Sequence, residues 1–227
     1  MSARTFDLAA TPLREVNAFL HGDLASVQDV TVVNPDGAHS IAVGVNAPVA
    51  ICIDGHVGYY AAGMNQQAQV TVHGNAGPGV AENMMSGRVE VKGFASVAAG
   101  ASAHGGLLVI HGDAGLRCGI SLKGADIVVG GSVGSFSAFM AQAGRMVICG
   151  DAGDALGDSL YEAVIYVRGK VKSLGADAQF EPMSAADLAA VAQLLAAAGI
   201  AADAASFKRI ASAKQLYNWN ADADQQY

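Results

Sequence analysis

Apolar and polar positions alternate along this chain in short bursts that all end the same way. The pattern apolar-x-apolar-x-Gly occurs at Ile51 to Gly55, Val70 to Gly74, Val89 to Gly93, Leu108 to Gly112, Ile127 to Gly131, Met146 to Gly150 and Ile165 to Gly169. The seven closing glycines, Gly55, Gly74, Gly93, Gly112, Gly131, Gly150 and Gly169, fall every 19 residues without insertion or deletion. A second glycine follows three residues later in five of the seven units. An internal period of this length marks a solenoid, in which each unit covers its apolar face only by stacking on its neighbours. Each unit predicts one short strand with two inward side chains, then glycines that permit positive φ where the chain turns a corner.

The stacking predicts one inward column of Ile51, Val70, Val89, Leu108, Ile127, Met146 and Ile165. A second consists of Val57, Ala76, Ala95, Ala114, Val133, Ala152 and Val171. Its small residues imply narrow coils. A left-handed β-helix has hexapeptide periodicity, which calls for a further apolar residue at the thirteenth place of each unit. That place holds Gly63, Glu82, Ala101, Ile120, Phe139 and Asp158, so the expected fold is all-β, a right-handed parallel β-helix of about seven coils. The domain boundaries expected are an N-terminal cap with a short helix over 1–29, the β-helix over 30–177, and a C-terminal helix with an extended tail over 178–227. Val30 to Val43 reads as an atypical leading turn whose register Pro35 and Gly37 break. Thr11-Pro12 predicts a helix start, with Leu13, Val16 and Leu20 on one face. Ser184 to Asp187 resembles a capping box and Gly199 a stop, so a helix over 185–198 is expected. The segment from Phe207 is expected to form a short helix and then the tail.

Composition narrows the function classes. A hydrophobic fraction of 52% and a charged fraction of 15% exclude disorder. A net charge of −7 with no basic cluster argues against nucleic acid or an anionic membrane as partner. The N-terminus lacks the apolar run of a signal peptide, and no stretch suits a membrane span, so a cytoplasmic chain with reduced thiols is expected.

Candidate chemistry is weak. The GxxG turns at Gly74 to Gly77 and Gly112 to Gly115 could cradle a phosphate, but they recur at coil corners and not once between a strand and a helix. His73 and His111 hold equivalent places but lie two rungs apart, with Lys92 between them, too far to share a metal. Asp113 and Asp151 suit turns. Cys118 falls in an inner column with Val80, Ala99, Ser137 and Leu156; Cys52 and Cys149 sit at outward places without a neighbouring base. Three cysteines at distant spacings cannot supply an iron–sulfur cluster. No catalytic, cofactor-binding or metal-ligating residue is assigned. Val109, Val128 and Val147 stack on an outward column, which either the C-terminal helix or another subunit must cover.

The repeat G-x-x-G-x-x-x-G, clearest at Gly112-Asp-Ala-Gly115-Leu-Arg-Cys-Gly119 and Gly150-Asp-Ala-Gly153-Asp-Ala-Leu-Gly157, resembles the C-terminal GXGXG β-helix domain of glutamate synthase. Ser96 and Ala138 depart from it. Thr5-Phe-Asp-Leu with Thr11-Pro-Leu-Arg-Glu, and Ala211 to Tyr217 with Asn218-Trp-Asn-Ala-Asp222, resemble the small β-helix subunit family of N-methylglutamate synthase. That resemblance implies a complex that joins methylamine to glutamate with release of ammonia. Its partners would be an amidotransferase-like subunit and a synthase-like subunit carrying FMN and an iron–sulfur cluster, with this chain non-catalytic. The coils are also similar to the C subunit of formylmethanofuran dehydrogenase. A free-standing β-helix enzyme acting on sugar polymers is the alternative of another class. The tail aromatics Tyr217, Trp219 and Tyr227 are expected to anchor on a partner subunit.

Overall fold

The computed structural model describes residues 2–214. Nine strands stack in parallel in chain order: β1 (Ser2–Asp7), β2 (Val27–Val33), β3 (Ala50–Asp54), β4 (Gln69–Val72), β5 (Arg88–Val91), β6 (Leu107–Ile110), β7 (Lys123–Val129), β8 (Ala143–Ile148) and β9 (Val164–Val167). Two antiparallel strands close the ladder, β11 (Lys208–Ser212) against β9 and β10 (Ala178–Glu181) against β11. Helix α1 (Leu13–Leu20) lies between β1 and β2, and α2 (Ala185–Ala198) between β10 and β11.

The predicted columns are present. Ile51, Val70, Val89, Leu108, Ile127, Met146 and Ile165 are register partners from rung to rung and all are buried. Val57 through Val171 form a second line of parallel bridges at the expected places. The inner column of Val80, Ala99, Cys118, Ser137 and Leu156 is also buried. These columns make one continuous core along the rod, the parallel β-solenoid that the 19-residue period requires.

The corner glycines have a different cause from the one expected. Of the seven, only Gly55 has a positive φ, 145°. The others are needed because successive corners touch. A Cβ on Gly131 would lie 2.9 Å from the carbonyl carbon and oxygen of Gly112 and would strike the Asp113 carboxylate. Left-handed backbone falls elsewhere, at three alternate places per coil, as in Tyr60, Ala62 and Met64 or Phe136, Ala138 and Met140. Their amides point alternately along the rod: Tyr60 donates to Pro78 O in the next coil, Ala62 to Ile41 O in the previous one, Met64 to Glu82 O in the next. A left-handed non-glycine residue costs about 1 kcal/mol or more, which the inter-coil bonds it permits offset.

The ends differ most from expectation. β1 is a strand, one rung ahead of the anticipated start, with Thr5 beside Thr31 and Phe6 beside Val32. Pro35 and Gly37 interrupt the 19-residue register as expected, yet strand pairing continues across them, Val30 with Ile51 and Val32 with Ile53. The spacing there is 21 instead of 19, and the loop with left-handed Asn34, Asp36 and Gly37 absorbs the difference. Helix α1 starts at Leu13 with Pro12 at its cap and no side-chain capping bond; Val16 and Leu20 are buried. The segment after Phe207 is strand β11, not a helix, because the open edge of β9 offers its backbone groups a partner. Helix α2 matches the expected bounds, with a Ser184–Asp187 capping box and left-handed Gly199 at its end. Among the described residues no helix is long and apolar enough to cross a membrane.

Because Gly131 is held by close approach and not by φ, alanine should suffice to damage it. Gly131→Ala is expected to cost about 1–3 kcal/mol, read as a lower thermal midpoint. A midpoint within a degree of the parent would mean the coils can separate to admit a methyl group.

Candidate interaction surfaces

The outward column between the two inward positions of the strands runs Cys52, Thr71, Glu90, Val109, Val128, Val147 and Tyr166. Its apolar half is covered by the chain itself. Val109, Val128 and Val147 are fully buried against Val191, Leu194, Leu195 and Ala198 of α2 together with Phe207. At about 1.5–3 kcal/mol per buried aliphatic side chain, this contact alone holds the helix down. The valine column is therefore an intramolecular seam.

Both ends of α2 are pinned. Asp187 closes the capping box with Ser184, accepts the Tyr166 hydroxyl at 2.7 Å and takes Arg209 Nε at 3.2 Å. Burial pushes the Asp187 carboxyl up, but its hydrogen bonds from Ser184 and Tyr166 outweigh this and leave it below the ordinary range. Burial and the bond to Asp187 push the Tyr166 phenol up to about 12. At the other end Arg88 Nη1 donates to Ala197 O at 3.0 Å. Arg88 belongs to a cluster around Glu90, whose carboxylate also takes Lys92 Nζ and His111 Nε2, each at 2.6 Å. Burial pushes Glu90 up, yet the bonds from Lys92, His111 and Arg88 prevail and bring it to about 2.

Most of the candidate chemistry of the sequence is absorbed by the ladder. The amides of the GxxG turns bond the neighbouring coil, as in Gly77 to Val57 O and Gly115 to Ala95 O, and so do not face an anion. Side chains next to the corner glycines accept the amide one coil on: His56 Nδ1 from Asn75, Asp113 Oδ1 from Ser132, and Asp151 Oδ1 from Lys170. His111 is tied to Glu90, and His73 is exposed. Cys118 is buried, and desolvation lifts its thiol to about 12; Cys149, at an outward place, lies beneath the C-terminal segment and is also shifted up by burial. Among the described residues no group of three or more His, Cys, Asp or Glu is placed to hold a metal. A cleft of about 920 Å³ at the N-terminal end is lined by Leu8, Pro12, Leu13, Pro35, Asp36 and Asp54, among others. Tyr217, Trp219 and Tyr227 lie outside the described residues.

One surface was missed by sequence reasoning. Two places beyond the second apolar column stand Tyr59, Pro78, Val97 and Leu116, on four successive coils, all exposed; Tyr59 is 52% and Leu116 51% accessible. Phe94, 51% accessible, and Phe136 flank them. Further along the rod the same place turns polar, with Ser135, Asp154 and Ser173. Reading this column of the repeat would have found it.

The fold thus defines a parallel β-solenoid many of whose corner polar groups serve its ladder and whose remaining distinctive feature is an apolar outer strip. Over 58 residues the chain is 55% identical to Protein GlxC of Rhizobium meliloti (strain 1021), a match spanning 25% of each chain. No protein-family model matches the sequence, and no solved structure matches it.

The Glu90 cluster makes stability depend on pH in a defined direction. Its carboxyl is depressed in the fold, so its contribution is complete above the unfolded value near 4.5 and is lost as pH falls toward about 2. Solvent screening of the partners limits this to about 1–2 kcal/mol. Glu90→Gln should flatten the stability profile between those two pH values; an unchanged slope in urea titrations would show that the cluster contributes nothing.

Proposed function

We propose that this chain is a non-catalytic assembly subunit of a glutamate-synthase-like complex of the N-methylglutamate synthase type. In such a complex glutamate and methylamine yield N-methylglutamate and ammonia, the methylamine-glutamate N-methyltransferase reaction. An amidotransferase-like subunit and a subunit with FMN and an iron–sulfur cluster would carry the chemistry. The observation that carries this reading is the ladder: His56, Asp113, Ser132 and Asp151 accept amides of neighbouring coils, His111 is bonded to Glu90, and Asp187 of α2 to Tyr166. The GXGXG-like repeat and the likeness to Protein GlxC over a quarter of each chain support the glutamate-synthase-like assignment. Because that likeness covers only a quarter of each chain, the same role in another glutamate-synthase-like complex is the second reading. The terminal motifs, which resemble the N-methylglutamate synthase small subunit, favour the first.

Affinity purification of the chain from native extract, followed by mass spectrometry and an absorbance spectrum, tests this. The expected outcome is co-purification with an amidotransferase-like and a flavin-containing subunit, flavin absorbance in the complex and none in the isolated chain. Flavin bound to the isolated folded chain, or recovery of the chain without either subunit, would overturn it.

A further inference from the structure

The exposed strip has the layout of a self-complementary surface. Its four central coils carry Tyr59, Pro78, Val97 and Leu116, and each coil adds the residue three places earlier and the residue one place later. In the first of these coils those are His56 and Tyr60, and in the fourth Asp113 and Arg117. All of these stand at equivalent places three coils apart. Beyond the ends lie His39, whose ring centroid is 4.6 Å from that of Tyr59, and Phe136.

We propose that this strip is the interface of a homodimer, two copies packing antiparallel across a two-fold axis that crosses the rod between the coils of Pro78 and Val97. That operation sets Tyr59 against Leu116 of the second copy, Pro78 against Val97, and Phe136 against the His39–Tyr59 pair. It also matches the polar groups at the two ends. His56 Nδ1 accepts the Asn75 amide, so Nε2 carries the ring proton and is free to donate. Asp113 gives Oδ1 to the Ser132 amide, which leaves Oδ2 as the acceptor facing it. Tyr60 meets Arg117, an exposed guanidinium with no ion pair among the described residues, in a cation–π contact. An isologous contact requires that the surface answer itself in this way, a large apolar centre with donor facing acceptor at each end. From His39 to Phe136 the strip runs five rungs, about 24 Å. At the width of a few residues its apolar core is roughly 300 Å², which sets the contact among small interfaces with a polar rim. The dimer leaves α2 free and meets the N-terminal cleft at its edge, through His56, and it holds whatever complex the chain joins.

The test uses the purified full chain and its mass by light scattering at about 50 μM, where a contact with a Kd of a few micromolar is mostly formed. The wild type is expected at twice the chain mass of 22.9 kDa. Leu116→Glu, at an exposed place, should give the single-chain mass with an unchanged melting curve. His56→Asp sets two carboxylates face to face and should weaken dimerisation roughly tenfold. Adding Asp113→His should restore it, because either residue serves as the ladder acceptor at either place. A wild type at the single-chain mass, as expected if the strip fits only a different polypeptide, overturns the proposal. So does a dimer indifferent to Leu116→Glu, and failure of the exchange to restore association overturns the antiparallel register.

Discussion

Hydrogen bonding from each coil to the next, at the fixed separation of adjacent strands, is the constraint on which the rest of this molecule depends. Strands β2 to β9 pair one upon the next, and the corner residues and left-handed turns bond along the same axis, to the coils before and after. Backbone at this spacing leaves no room for a side chain wherever two corners lie directly over each other. Glycine at Gly131 is therefore an exclusion requirement, set by the carbonyl of Gly112 below it. The same constraint recruits side chains into the ladder. His56, Asp113, Ser132 and Asp151 each take an amide of the next coil, bonds that hold the corners in register.

A solenoid built this way has few groups left over for a pocket, and its distinct properties reside on its sides. The outward column divides the rod. Its C-terminal half is valine and tyrosine beneath α2, while its N-terminal half is Cys52 and Thr71 without that cover. Glu90 stands at the boundary, joining three basic side chains and, through Arg88, the end of the helix. On a second side the apolar strip occupies the opposite half, running from Tyr59 to Phe136 and giving way to Ser135, Asp154 and Ser173. The helix thus seals one surface that would otherwise be exposed and leaves another available for contact.

Some of this is legible in the sequence, and the reason is periodicity. A repeat of 19 without gaps states which residues stack on which, so the inward columns, the buried place of Cys118 and the extent of α2 all followed from local pattern and capping chemistry. The outer strip obeys the same period and could have been read the same way. What local pattern misjudged was mainly at the ends. β1 and β11 carry no distinctive signature, and they are strands because β2 and β9 present open edges to them.

By itself, then, the sequence determined the solenoid, its rung spacing and its core, since each follows from residues a constant distance apart in the chain. Only the tertiary structure decided the reasons and the partners. The left-handed turns fall on Tyr60, Met64, Arg117 and Phe136, residues with no propensity for that conformation, because amides there must reach alternate coils. Whether α2 or something else covered Val109, Val128 and Val147 was likewise beyond the repeat. The helix lies nearly 40 residues beyond the last of them, and its placement rests on packing over the stacked valines and on Asp187 meeting Tyr166 and Arg209, contacts that exist only once the rod has formed.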